Sequence, residues 1–297
     1  MQRSVLHIYQ RSVSGFLLFY TVTDFLVFFT VFCVTARRHR VRILGVCPMF
    51  DHVHILVEGA ARKEATRFVQ ACFSSYAKEL NQSLGTSGAI FRRDFGCAVK
   101  TGDKAIRTAC SYLYNNPGEK NLCKRAEDYR WTFMAYAVSR NPFSEPLKLS
   151  RATLKLRKIL KMADYLCSRD HYLRHVWLEK WFRDLSPGEC QQLTDYIISS
   201  YNCIDYNKLL HYYGDSYEMM SLAFASNQGS EYDIKEDTVR ESHRPYLEIP
   251  SRIRSLYGES DIKKLLRLDE NAKRDIFTAL IPHVHATKRQ LAKYLRL

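Results

Sequence analysis

The sequence predicts an α+β fold: a ferredoxin-like antiparallel sheet with helices on one face, followed by an all-helical C-terminal domain. Three observations predict it. Residues 1–140 read in order as strand, helix, two strands, helix, strand or loop, helix, which is the order of a ferredoxin-like sandwich. Asn141-Pro142 through Pro146 is a Pro-punctuated boundary. Beyond it apolar residues recur at helical spacing. The expected divisions are 1–140 for the sheet domain, 141–226 for a helical accessory domain, 227–248 for a polar linker or loop, and 249–297 for a basic helical tail.

Each element has a local reason. Val5-Leu6-His7-Ile8-Tyr9 reads as the first strand. Residues 16–34 are nearly all apolar and precede Arg37-Arg38-His39-Arg40, so a membrane-spanning reading has to be weighed. Asp24 near the middle of that run would cost roughly 3 kcal/mol in a bilayer. A short strand over 16–20 and a helix capped at Thr23, with Asp24 in its first turn, fit better. No cleavable signal peptide is evident. A second strand begins over 40–44, and residues 52–57 form a third that Glu58-Gly59 ends. Phe68, Cys72, Phe73, Tyr76 and Leu80 make a core-facing helical stripe. Further on, residues 154–166, 177–182 and 186–200 read as helices, the last opened by the capping box Ser186-Pro187-Gly188-Glu189. Residues 206–213 and 217–224 continue the set.

Chemistry concentrates in two stretches. In Asp51-His52-Val53-His54 the period of two puts both imidazoles on one face of a strand, a metal half-site that needs a third ligand. Taken alone, His-x-His is a weak signal. In Tyr112-Leu113-Tyr114-Asn115-Asn116-Pro117, Tyr112 and Asn116 are four apart and share a helix face, whereas Tyr114 points away. Pro117 is expected to stop that helix. A phenol and an amide oxygen set against two imidazoles make a tyrosine nucleophile, Tyr112, beside a metal held by His52, His54 and Asn116.

These blocks, followed by Glu127-Asp128-Tyr129-Arg130-Trp131-Thr132, resemble the HUH single-tyrosine transposases, closest to the REP-associated tyrosine transposases and the insertion-sequence-200 group. The resemblance covers roughly residues 1–137. Two positions depart from the usual pattern: Phe50 stands where the family commonly has Pro, and Gly118 where it commonly has Val. The resemblance implies the same fold and single-stranded DNA bearing hairpins as the substrate; the mixed nitrogen and oxygen ligands would accept Mg or Mn as cofactor, and the sequence does not choose between them. It also implies cleavage and rejoining through a 5′-phosphotyrosine, with a homodimer left open. Glu58 or Asp51 could accept from the far nitrogen of a ligating imidazole.

Composition agrees with a polyanionic partner without choosing it. Lys plus Arg outnumber Asp plus Glu by 45 to 31, a formal charge of +14. Arg92, Arg93, Phe95, Lys100 and Lys104 form a basic, aromatic-interleaved segment between the halves of the site, suited to a single strand. Nine scattered cysteines, never spaced Cys-x-x-Cys, argue against a zinc ribbon and a secreted disulfide framework. The expected location is cytoplasmic, on the nucleoid. His283-Val284-His285 lies after Pro282 with no strand around it and reads as a decoy. The basic helix over 287–295 resembles the first helix of a helix-turn-helix. Two other readings compete: a non-catalytic nucleic-acid binder on the same fold, and a membrane-associated protein built on residues 16–34.

Overall fold

The computed structural model describes residues 4–226, 241–258 and 261–297; most of the expected linker, 227–240, lies outside them. Its first strand, β1 (Ser4–Arg11), carries His7, Tyr9 and Arg11 on one face and Leu6 and Ile8 on the other. The strand predicted over 16–20 is absent. β1 is already paired on both sides, and Leu17, Leu18 and Phe19 serve instead as core filler, with Phe19 stacked on Phe25 and Tyr76.

Helix α1 (Val22–His39) starts two residues earlier than expected. Its cap is Thr21, whose hydroxyl accepts from the Asp24 amide at 3.3 Å while Asp24 Oδ2 accepts from the Thr21 amide at 2.9 Å. Residues from Asp24 to Ala36 are buried all round, which explains why this stretch mimics a spanning segment. Among the described residues, no helix is long and apolar enough to cross a membrane.

Strands β2 (Arg42–Pro48) and β3 (His52–Glu58) follow, then α2 (Arg62–Leu84), β4 (Gly96–Thr101) and α3 (Asp103–Glu119). All pairs are antiparallel and the sheet order is β2-β3-β1-β4, so the histidine strand and β1 are central, as a ferredoxin-like sheet requires. The helices divide between the faces instead of sharing one. α3 crosses the face that carries His52 and His54, while α1 and α2 pair with each other and leave Val53, Ile55 and Val57 buried opposite. α3 also runs past Pro117 to Glu119. A proline in the last turn forfeits one amide bond only, and the turn closes through Lys120 N–H to the Asn116 carbonyl.

The helical remainder comprises α4 (Leu154–Ser168), α5 (His175–Phe182), α6 (Pro187–Tyr201), α7 (Tyr206–His211), α8 (Tyr217–Ser226), α9 (Arg244–Tyr257), α10 (Ile262–Leu266), α11 (Glu270–Leu280) and α12 (Lys288–Leu295). The Ser186–Glu189 capping box opens α6 as expected. α9 begins at Arg244, inside the stretch assigned to a linker. These helices wrap the sheet domain: α5 and α6 lie on α1, α8 on α3, and α10 on α2.

One buried charge cluster joins three parts of the chain. Asp24 Oδ1 accepts from His175 Nε2 at 2.9 Å and faces Lys263 Nζ at 3.0 Å, and that ammonium also reaches Glu179 at 3.1 Å. Burial alone would raise the Asp24 carboxyl, but the Lys263 charge, the His175 bond and charge, and the Tyr20 amide outweigh it and hold it well below the carboxylate range. A carboxylate whose pKa is depressed on folding contributes stability that is complete above its unfolded value of about 4 and is lost as pH falls below it. Asp24→Asn should therefore flatten the acid limb of the stability profile below about pH 4. It should also lower unfolding free energy near neutrality by about 2–4 kcal/mol, because Lys263 stays buried with only the half-exposed Glu179 to pair it. Urea titrations from pH 3 to 7 check both, and an unchanged acid slope would count against the assignment.

Candidate active site

The site forms where α3 crosses β3. The i, i+4 spacing places Tyr112 and Asn116 on one face of α3, and the strand period places His52 and His54 on the sheet face beneath. Asn116 Oδ1 lies 3.3 Å from His52 Nε2, and Asn116 Nδ2 lies 3.3 Å from His54 Nε2. The Tyr112 ring meets the His54 ring edge-on, centroids 5.2 Å apart. All four predicted residues thus come together, and all are buried, with Tyr112 only 5% exposed.

Asp51 Oδ1 stands 2.6 Å from His52 Nδ1. Burial by itself would raise the Asp51 carboxyl; the His52 bond and the charges of His52, His243 and Lys293 overcome that and keep it ionised, able only to accept. His52 therefore carries a proton on Nδ1, and in neutral imidazole its Nε2 is a lone pair. That lone pair faces the Asn116 carbonyl oxygen at 3.3 Å, two acceptors with a proton or a cation belonging between them. Burial, then the charges of His52, His7, Arg11 and Lys120, push His54 well below its ordinary value, which leaves it a neutral donor of electrons. His52 Nε2 and the Asn116 amide oxygen, 3.3 Å apart, match the spacing of about 3 Å between neighbouring ligands of an octahedral Mg or Mn shell, while His54 Nε2 stands 3.3 Å from the amide nitrogen of the same side chain. Among the described residues, no group of three His, Cys, Asp or Glu is placed to hold a metal; the group beside the two imidazoles is the Asn116 amide.

Residues 24–116 match the family model described as "Transposase IS200 like". This stretch is similar to the IS200-like transposases. The match spans β2, β3 and the Tyr112–Asn116 turn of α3. A solved structure, that of a REP-associated tyrosine transposase bound to a REP hairpin, aligns with a TM-score of 0.40 and 12% identity over 52% of this chain and 91% of that one. No curated protein matches the chain.

Around the matched segment, several residues that sequence reasoning passed over line the site. His7 Nε2 lies 3.1 Å from His54 Nδ1, and the His7 ring centroid is 5.6 Å from that of Tyr112. Burial and the Lys100 charge push His7 down to about 3. Tyr9 packs on the His54 and His52 rings at 4.8 and 5.5 Å, with the Arg11 guanidinium over its own ring at 4.9 Å. His243, from the chain just before α9, sits 3.7 Å from Asp51 and 6.0 Å ring to ring from His52. Lys293 of α12 reaches Asp51 at 3.9 Å. The period of two in β1 was a signal for His7, Tyr9 and Arg11; nothing local pointed to His243 or Lys293.

Other expectations separate cleanly. Asp51 backs His52, whereas Glu58 lies at the far end of β3, bonded to Tyr212 at 2.5 Å and Arg42 at 3.0 Å. Lys100 is half-buried on β4, on the histidine face, and acts on His7, while Arg92, Arg93 and Lys104 are exposed and Phe95 is half-buried. His285 is 90% exposed and pairs with Glu248, and His283 is exposed. Trp131 of the third block stacks on Phe25 at 4.3 Å, and the Tyr129 hydroxyl donates to the Pro48 carbonyl at 3.3 Å, so that block braces the end of β2. Phe50 packs on Tyr246 at 5.4 Å.

Tyr114 points away from the histidines, its hydroxyl donating to the Leu44 carbonyl at 3.1 Å. The β2–β3 register shifts between Ile43 and Gly45, and Gly45 leaves room for the phenol: a Cβ there would stand 3.0 Å from Tyr114 Oη and 3.2 Å from its Cζ. Gly45→Ala should therefore cost about 1–3 kcal/mol by overpacking, with part of the loss recovered by adding Tyr114→Phe. Denaturant melts of the single and double variants check this coupling, and strict additivity would speak against it.

Proposed function

We propose that the chain is a metal-dependent transposase that cleaves and rejoins single-stranded DNA at hairpin-bearing sites, with Tyr112 as nucleophile and His52, His54 and Asn116 as ligands of a Mg or Mn ion. The observation that carries this reading is the convergence of both Nε2 atoms on one amide, with the phenol ring of the same helix face beside them. A bound divalent ion would draw charge from the non-bridging oxygens of a phosphodiester and help orient it.

The protein's own residues supply the rest. Free tyrosine ionises near about pH 10 and is a weak nucleophile at neutrality, so attack needs a phosphate held in line with the hydroxyl. Tyr112 Oη forms the new bond to phosphorus, the bond to the 3′-oxygen breaks, and the phenolic proton is in balance taken up by that oxygen. The products are a 5′-phosphotyrosine and a 3′-hydroxyl. One phosphodiester replaces another, so a second 3′-hydroxyl can reverse the step without ATP. Arg11, Lys100 and Lys120 place positive charge about the histidines, while Arg92 and Arg93 lie exposed on the loop before β4 and could track a strand backbone. With Tyr112 almost wholly covered, a strand reaches it only as the surrounding residues open.

Incubation with hairpin-bearing single-stranded oligonucleotides and Mn or Mg should give a covalent protein–DNA adduct on denaturing gels. Chelation should abolish it, and Tyr112→Phe or His54→Ala should reduce it at least about 10³-fold, the scale on which removing a nucleophile acts. An adduct that persists in Tyr112→Phe sinks the assignment. Tight binding with no adduct in the wild type would favour a non-catalytic binder on the same fold.

A further inference from the structure

The two imidazoles of the site are held from behind by different partners. His52 is backed by a carboxylate, Asp51, at 2.6 Å. His54 is backed by a third imidazole, His7, at 3.1 Å. The hydrogen-bond logic of this second contact is directional. An amide NH2 can only donate, so the Asn116 Nδ2 that stands 3.3 Å from His54 Nε2 assigns that nitrogen a lone pair. The His54 proton then sits on Nδ1, and it is donated to His7 Nε2. His7 in turn carries its own proton on Nδ1, a buried atom with no hydrogen-bond partner among the described residues.

An apolar side chain at position 7 would avoid that unpaired N–H, and the neighbours Val5, Leu6 and Ile8 are all buried apolar residues. The imidazole therefore gives the sheet nothing that a hydrocarbon would not, except an acceptor aimed at His54. We propose that His7 is a positioning residue: it fixes His54 as the Nδ1–H tautomer and turns Nε2 toward Asn116 and the cation. This rests on the cation reading of the site given above. The β1–β3 register supports it, because Tyr9 lies opposite His54 and its ring packs on the imidazole at 4.8 Å, closing the side of the ring while His7 holds the back.

Two variants separate the acceptor from the volume. His7→Phe keeps a ring and removes the acceptor; His7→Gln places an amide oxygen near the position of Nε2. Long-range proton–nitrogen correlation spectra in chelator should show a single Nδ1–H form of His54 in the wild type and a mixture of both forms in His7→Phe. Calorimetric Mn affinity should fall about 10–100-fold in His7→Phe, the usual effect of losing such a backing contact, and His7→Gln should restore most of it. Where His7→Phe does not fold, His7→Met against His7→Gln gives the same contrast. Wild-type Mn affinity and an unchanged His54 tautomer in His7→Phe, with Mn binding lost in His54→Ala, would overturn the role of His7 alone. A wild type that binds no Mn would overturn the cation reading itself.

Discussion

The amide of Asn116, bridging two imidazoles at 3.3 Å on each side, is the contact on which the rest of the site depends. It exists only because α3 crosses the histidine face at close range. That approach has its own cause: a bulge in β2 and the missing side chain of Gly45 let Tyr114 bury its phenol against the sheet and hydrogen-bond to Leu44. The same helix turn that anchors Tyr114 downward presents Tyr112 and Asn116 to β3. Two tyrosines two residues apart thus take opposite tasks, one seating the helix and the other facing His54.

Two buried carboxylates near the core of this protein each link distant segments. Asp51 gathers His52, His243 and Lys293, drawing the chain before α9 and helix α12 to the rim of the site. Asp24 gathers His175 and Lys263, tying α1 to α5 and α10. Such groups are tolerated in an interior only when paired, so each carboxylate commits several elements to one arrangement. Asp195 repeats the pattern on a smaller scale, accepting from Tyr136 at 2.6 Å and pairing with Arg130 at 3.2 Å.

The parts of the site legible in sequence were those with a fixed local period. His52 and His54 share a face because a strand alternates, and Tyr112 and Asn116 share one because a helix repeats at four. The central place of β3 followed from the order of elements. β4 was ambiguous because Gly96–Thr101 is a half-exposed edge with no apolar run to mark it. Thr23 looked like a cap since it precedes Asp24, yet a capping box needs three residues of spacing, which Thr21 supplies. Glu58 ended the right strand on the right face, but distance along the strand carried it to Tyr212. What lies behind His54 or beside Asp51 was invisible for a different reason: His7, His243 and Lys293 meet them through tertiary packing, on which local periodicity is silent.

The Asp24 cluster bears on how the gene could be dissected. A fragment ending near residue 140 would keep the carboxylate and discard both His175 and Lys263, leaving the anion without its partners and α1 without the helices that cover it. Domain shuffling or laboratory trimming that treats the N-terminal part as a portable cassette would inherit that defect. The sheet domain and its helical surround are in this sense a single inheritance unit.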